Sequence, residues 1–407
     1  MNAHHAVEQA ARDSYGRLVA YLAVRWRDLA AAEDAIADAF LAALETWPHI
    51  GVPDKPEAWL LTAARRRLID GARRARVHAN AAPTLLAMAE ETQKLACSDI
   101  TFPDERLKML FICAHPAIDP VVRTPLMLQT VLGIDAARIA SAFVVKPSTM
   151  GQRLTRAKEK IRGGNIKFEF PDAKELPQRL DSVLEAIYAA YGSGWDDVTG
   201  VDPRRKGLAE EAIYMGRLLL RFMSAEPEVQ GLLALMLHCE ARRNARRNET
   251  GSYVPLSEQD ISLWSETMIK EAEHCLSNAA QAGRIGRFQL EAAIQSVHAQ
   301  RAWTGRTEWE EIALLYEGLV RLAPTIGALV GRAAAVAEAR GVDKGLVLLE
   351  AIPTDAIKSY QPYWALTAHL FKRSQRYEEA YAAYSRAIGL CTDPSIRDFL
   401  KQQASRV

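Results

Sequence analysis

The sequence predicts an all-α fold, and three observations carry that expectation. Alanine, leucine, arginine and glutamate dominate, and apolar residues recur at three- and four-residue spacing along most of the chain. Alternating β-branched runs of the kind that make strands are absent from the sequence. Glycine and proline gather at a few places, so the chain reads as long helices separated by discrete breaks. Those breaks divide it into segments of 1–79, a looser linker of 80–103, 104–162, a hinge of 163–174 and a long extension of 175–407.

A chain of 407 residues can bury more than one core, and 49% hydrophobic with 25% charged residues is ordinary for a globular protein. No window is long and uncharged enough for a spanning helix, so no membrane association is expected. The cysteines (Cys97, Cys113, Cys239, Cys275 and Cys391) lie far apart, which fits neither a disulfide framework nor a zinc site and suits a reducing cytoplasm. A net charge of +1 hides an asymmetry: residues 1–165 hold 22 Lys/Arg against 18 Asp/Glu, the remainder 29 against 32.

In the first segment, Ala32-Glu33-Asp34-Ala35-Ile36-Ala37-Asp38-Ala39-Phe40-Leu41 places Glu33, Asp34 and Asp38 at helical spacing, a carboxylate face for a basic partner. Pro48, Gly51, Pro53 and Pro56 then predict a loop over 48–56. Asp54 and Glu57 fit a capping box, with Pro56 tolerated in the first turn. The helix that follows carries Trp59, Leu60, Leu68 and Ile69 as an apolar stripe and six arginines: Arg65, Arg66, Arg67, Arg73, Arg74 and Arg76. A solvated face is the bland account of such a run. Six arginines with almost no interleaved acid repel one another, however, and a polyanion relieves that strain, so nucleic acid is the expected partner. Trp59 is expected to anchor the core. Trp47, beside the loop, is offered as a ring on which an unstacked base could lie, with a packing role as its alternative.

Residues 133–162 have helix-turn-helix proportions. Asp135 caps a short first helix, Val144-Val145-Lys146 makes the turn, and Pro147 opens the second helix. Ile139, Ala140, Val145, Met150 and Leu154 are spaced as the core of such a unit. The second helix presents Ser148, Thr149, Gln152, Arg153 and Arg156 near its N-terminal half, where base edges are reached, while Lys158, Lys160 and Arg162 are expected against phosphates.

Together these segments resemble the sigma-70 family in its minimal, extracytoplasmic-function form. The stretch 32–41 resembles the conserved-region-two motif that docks on the polymerase β′ clamp, and 57–67 resembles the part that captures and melts the −10 element. The segment from Asp104 to Arg162 resembles region four, which reads the −35 element. Phe111-Ile112-Cys113-Ala114-His115-Pro116-Ala117 and the Ala142-Phe143-Val144-Val145 turn resemble one subgroup that carries a long tetratricopeptide-type C-terminal extension. The resemblance implies core RNA polymerase, through its β′ clamp and β flap, and promoter DNA as partners, with no cofactor and no catalysis. Ala37 stands where the family commonly has Gln, Arg138 stands where a Glu usually completes the first helix's cap, and Lys146-Pro147 alters the usual start of the reading helix.

The extension supports the same picture. Residues 361–394 fit one tetratricopeptide repeat, and the 34-residue period steps back to 327–360, with a shortened second helix, and to 293–326. The aromatics are expected mainly in the core, and the stacked helices suit a peptide or protein regulator. Arg242-Arg243-Asn244-Ala245-Arg246-Arg247 reads first as a solvated basic face. The competing function class is a helix-turn-helix transcriptional regulator with a sensing repeat domain, which leaves the acidic motif and the Trp/Arg helix unexplained. No Ser/His/Asp set, metal cluster or phosphate-binding glycine loop supports an enzyme.

Overall fold

The computed structural model describes residues 3–76, 104–143, 145–164, 166–172, 174–195 and 207–407. The linker expected at 80–103, with Cys97, lies outside the described residues, as does Val144 of the turn. The described residues are all-helical apart from turns and one isolated bridge, as the periodicity predicts. The chain divides into two compact units, 1–190 and 191–407.

The first unit begins with α1 (Ala3–Trp26), α2 (Leu29–Ile50) and α3 (Pro56–Arg76). Asp28 caps α2, its carboxylate accepting from the Ala31 N–H at 3.0 Å. Along α2 the buried residues Ala32, Ala35, Ile36, Ala39, Ala43 and Trp47 recur at helical spacing and face α1 and α3. The helix runs on through Pro48 to Ile50, so the loop is shorter than the expected 48–56. The capping box at Asp54 and Glu57 is not what forms either. Glu57 turns to α1, where Ser14 and Arg17 donate to its carboxylate.

Four shorter helices complete most of this unit: α4 (Arg106–Cys113), α5 (Pro120–Thr130), α6 (Ala136–Ala142) and α7 (Pro147–Gly163). Gly16 on α1 meets the end of α5 backbone to backbone, since a Cβ there would land 1.8 Å from the Val131 carbonyl oxygen. The segment expected as a hinge instead packs: Ile166 and Phe168 are buried, and the Phe170 ring lies 6.1 Å from Phe111. Arg179, on α8 (Leu176–Trp195), donates to the Phe111 carbonyl at 3.1 Å. The first unit therefore extends past the expected boundary into α8.

The second unit continues with α9 (Leu208–Phe222), α10 (Pro227–Ala241), α11 (Glu266–Gln281) and α12 (Arg287–Ala299). Then come α13 (Trp309–Leu322), α14 (Ile326–Arg340), α15 (Val342–Glu350), α16 (Gln361–Arg373), α17 (Tyr377–Leu390) and α18 (Pro394–Ala404). Its apolar clusters follow one another along the chain. Ile294, Ile312 and Val336 form one, Val330, Leu349 and Leu370 the next, and Ala368, Tyr384 and Leu400 a third. Leu348 touches the first two and Trp364 the last two, so each helix pair completes the core of its neighbour. Trp303 departs from the expected pattern, with 58% of its surface exposed. The basic run at 242–247 is not a solvated face. Arg243 pairs with Glu240 at 2.5 Å, Arg247 with Asp393 at 2.8 Å, and Arg242 donates to Gln295 at 2.5 Å.

Candidate nucleic-acid interface

On α3 the buried positions Leu60, Leu61, Ala64 and Leu68 form one stripe. The arginines divide around it. Arg66, Arg67 and Arg73 are exposed, and Arg67 lies 3.8 Å from Asp38 of α2. Arg65 is a correction to the expected DNA contacts. Four residues after Leu61, it falls on the buried stripe, where its guanidinium donates to the Tyr21 hydroxyl at 2.8 Å and lies 5.4 Å from that ring's centre. The side chains of Arg74 and Arg76 lie outside the described residues.

Trp47 is a second correction. It is 1% exposed and packs edge-to-face on Trp59, with ring centres 5.5 Å apart. Four residues beyond Ala43, it completes the apolar stripe of α2 and offers no ring face to a base.

The helix-turn-helix proportions are present in α6 and α7. Asp135 caps α6 alone, accepting from Ala137 and Arg138 N–H groups at 3.1 and 3.0 Å, with the Arg138 side chain 3.3 Å from its carboxylate. Met150, Leu154, Ala157 and Ile161 form the buried face of α7, which packs on α6, where Ile139 and Ala140 are buried. Ser148, Gln152 and Arg156 are exposed on the other, with Thr149 and Arg153 half-buried at its edge. These five share one face because positions i, i+1, i+4, i+5 and i+8 do so on any α-helix.

Lys158 sits elsewhere. Next to the buried stripe, its ammonium pairs at 2.6 Å with Glu33 of α2, both side chains mostly buried. One turn later Arg162 lies 3.1 Å from Asp28. A residue expected on DNA phosphate and one expected on polymerase thus hold each other. Burial raises the Glu33 carboxyl above its ordinary value, with Asp34 adding to the rise, and Lys158 only partly opposes it. Asp34 and Asp38 are exposed. The pairing of α2 with α7 is the feature that sequence reasoning missed. Its one local signal is that Lys158, four residues after Leu154, borders the buried stripe.

This unit combines an acidic helix, a cationic helix and a helix-turn-helix pair, the parts of a protein that meets both nucleic acid and a protein partner. Residues 12–77 match sigma-70 region 2, and residues 179–280 match a family of unknown function, DUF6596. Over 402 residues the chain is 35% identical to the uncharacterized protein R00370 of Rhizobium meliloti (strain 1021), covering 98% of this chain and 94% of that protein. No solved structure matches this chain. The chain belongs to the sigma-70 family, whose members are transcription initiation factors. No helix among the described residues is long and apolar enough to cross a membrane.

Proposed function

We propose that the chain is a sigma factor of the extracytoplasmic-function type, which joins core RNA polymerase and directs it to promoters. One observation carries this reading: within the region-2 match, the exposed Arg66, Arg67 and Arg73 of α3 stand beside the acidic face of α2. In this reading Asp34, Asp38 and, once released, Glu33 meet the β′ clamp. The α3 arginines hold the separated −10 strand by its phosphates. Ser148, Thr149, Gln152, Arg153 and Arg156 read the −35 element in the major groove, and the segment 104–162 also meets the β flap. No chemistry belongs to the chain itself. Binding energy for separated strands drives melting, and the polymerase makes the RNA.

The Glu33–Lys158 pair links the two tasks. While it stands, Lys158 cannot neutralise a phosphate and Glu33 cannot meet a polymerase cation. Glu33 and Lys158 face each other at 2.6 Å with both side chains mostly buried, so a polymerase cation that meets Glu33 takes the place of Lys158. Core binding at α2 therefore frees the phosphate-binding flank of α7. The repeat-like second unit, read as a tetratricopeptide-type extension, regulates this exchange through a bound partner.

Two experiments test the reading. The purified chain should co-elute with core polymerase and give defined run-off transcripts from a genomic library. Failure to associate with core would leave only an ordinary helix-turn-helix regulator. Deleting 207–407, which keeps all of α8, should change transcription from those promoters; unchanged output removes the regulatory role.

A further inference from the structure

Three consecutive helices of the second unit each turn one stripe toward a common groove of about 510 Å³. From α13 come Glu317, Val320 and Arg321, at i, i+3 and i+4. From α14 come Arg332, Val336 and Arg340, one per turn. From α15 come Lys344, Val347 and Leu348. The groove is within the size range of ligand sites, with an aliphatic floor and a cationic rim.

The charge in this groove is left unneutralised. Arg340 is held by Glu310 at 2.6 Å and Glu317 at 2.8 Å, which uses the lining's one carboxylate. Arg321 and Arg332 pair with no carboxylate among the described residues, and the Arg332 Nε is buried without a hydrogen-bond partner. Other arginines of the unit have a partner, either an acid, as Arg217 has Glu271 at 2.7 Å and Arg376 has Glu379 at 2.7 Å, or a neutral acceptor, as Arg242 has Gln295 and Arg301 has the Gln259 carbonyl. A solvated face explains exposed cations. It does not explain a buried guanidinium nitrogen in a concavity whose own acid is already taken. Val347 adds a rim residue with 64% of its surface exposed.

We infer that this groove binds an acidic peptide segment, its carboxylates on Arg321, Arg332 and Lys344 and an aliphatic side chain on Val336, Val347 and Leu348. The floor holds no aromatic ring, so it offers nothing on which a nucleic-acid base would stack. Guanidinium groups matched to carboxylates supply the specificity, and the aliphatic floor supplies the desolvated centre. The inference does not depend on the promoter reading of the first unit.

The test uses the full chain and a fluorescein-labelled peptide of four Asp-Val repeats, followed by anisotropy. Saturable binding is expected, weakened at least tenfold by Arg321→Glu with Arg332→Glu. Val347→Asp should also weaken it; that position is exposed, so the fold has no stake in it. Lys-Val and Asp-Ser repeats should bind at least tenfold more weakly. Equal binding of all three peptides, or binding indifferent to the charge reversals in chains with unchanged thermal melts, would overturn the proposal. So would displacement of the Asp-Val peptide by equimolar inorganic phosphate or ATP, which would make the groove a small-anion site.

Discussion

Helices α3 and α7 look alike in sequence, each an arginine-rich amphipathic helix expected on DNA, yet the structure uses their cations differently. On α3 the first arginine of the run turns inward to Tyr21, while Arg66, Arg67 and Arg73 are exposed. On α7 Ser148, Gln152 and Arg156 are exposed, while Lys158 and Arg162 are tied to Glu33 and Asp28 of α2. What separates a structural cation from an available one is its register against the buried stripe, not the number of charges around it.

The contrast can be broken most forcefully in the interior. Trp47→Ala should cost about 3–5 kcal/mol of stability, as large aromatic truncations in cores do, lowering the denaturation midpoint before any DNA contact is tested. A normal midpoint with a selective loss of promoter melting would instead return Trp47 to the DNA. Arg65→Ala should likewise act on stability, by about 1.5–3 kcal/mol for a lost charge-assisted hydrogen bond. Replacing Arg66, Arg67 or Arg73 by Ala should leave the melt unchanged and reduce the salt slope of DNA binding by about 1 each. If Arg65→Ala changes the salt slope as much as Arg66→Ala does, the register argument is wrong.

The open face of α7 predicts sequence-dependent losses. Gln152→Ala should cost about 1–3 kcal/mol at one promoter position, measured by competition among single-base variants. A uniform loss across sequences would make it a phosphate contact. For the tied flank, Lys158→Glu should open the α2–α7 contact, and adding Glu33→Lys should close it again, read by hydrogen exchange over 147–163. Equal protection in all three chains would remove the latch.

A separate effect concerns acid. In the second unit, burial with Arg242 nearby lowers His238 to about 4, and burial with Arg242 and Arg301 lowers His298 to about 4. The unfolded chain takes up these protons near the ordinary value, so stability is full above about pH 6.5 and falls as the pH drops toward 4. The limiting slope is about 1.4 kcal/mol per pH unit for each histidine. His238→Gln should flatten the urea midpoint of the chain across that window; an unchanged slope would contradict the buried neutral imidazole.

Much of this was legible in the sequence because it is local. Helix periodicity gave the all-α class, Asp135 and Pro147 gave the starts of α6 and α7, and the spacing of Met150 and Leu154 gave the buried face of α7. Even the two corrections follow from spacing: Arg65 is four residues from Leu61, and Trp47 is four from Ala43. Pro48 hid the second by suggesting that α2 had already ended. Long-range pairings could not be read this way. Nothing near Lys158 names Glu33, nothing near Arg179 names the Phe111 carbonyl, and nothing in the run 242–247 names Gln295 or Asp393.

We propose that polymerase binding at α2 releases the Lys158 flank of α7. The most direct test of this release is promoter binding measured by gel shift with the free chain, with core polymerase, and with both. Specific retention of −35/−10 DNA is expected only when chain and core are present together, and Lys158→Glu should not restore binding to the free chain, because that substitution removes the phosphate contact. Tight, sequence-specific binding by the free chain, unchanged by core, would contradict it.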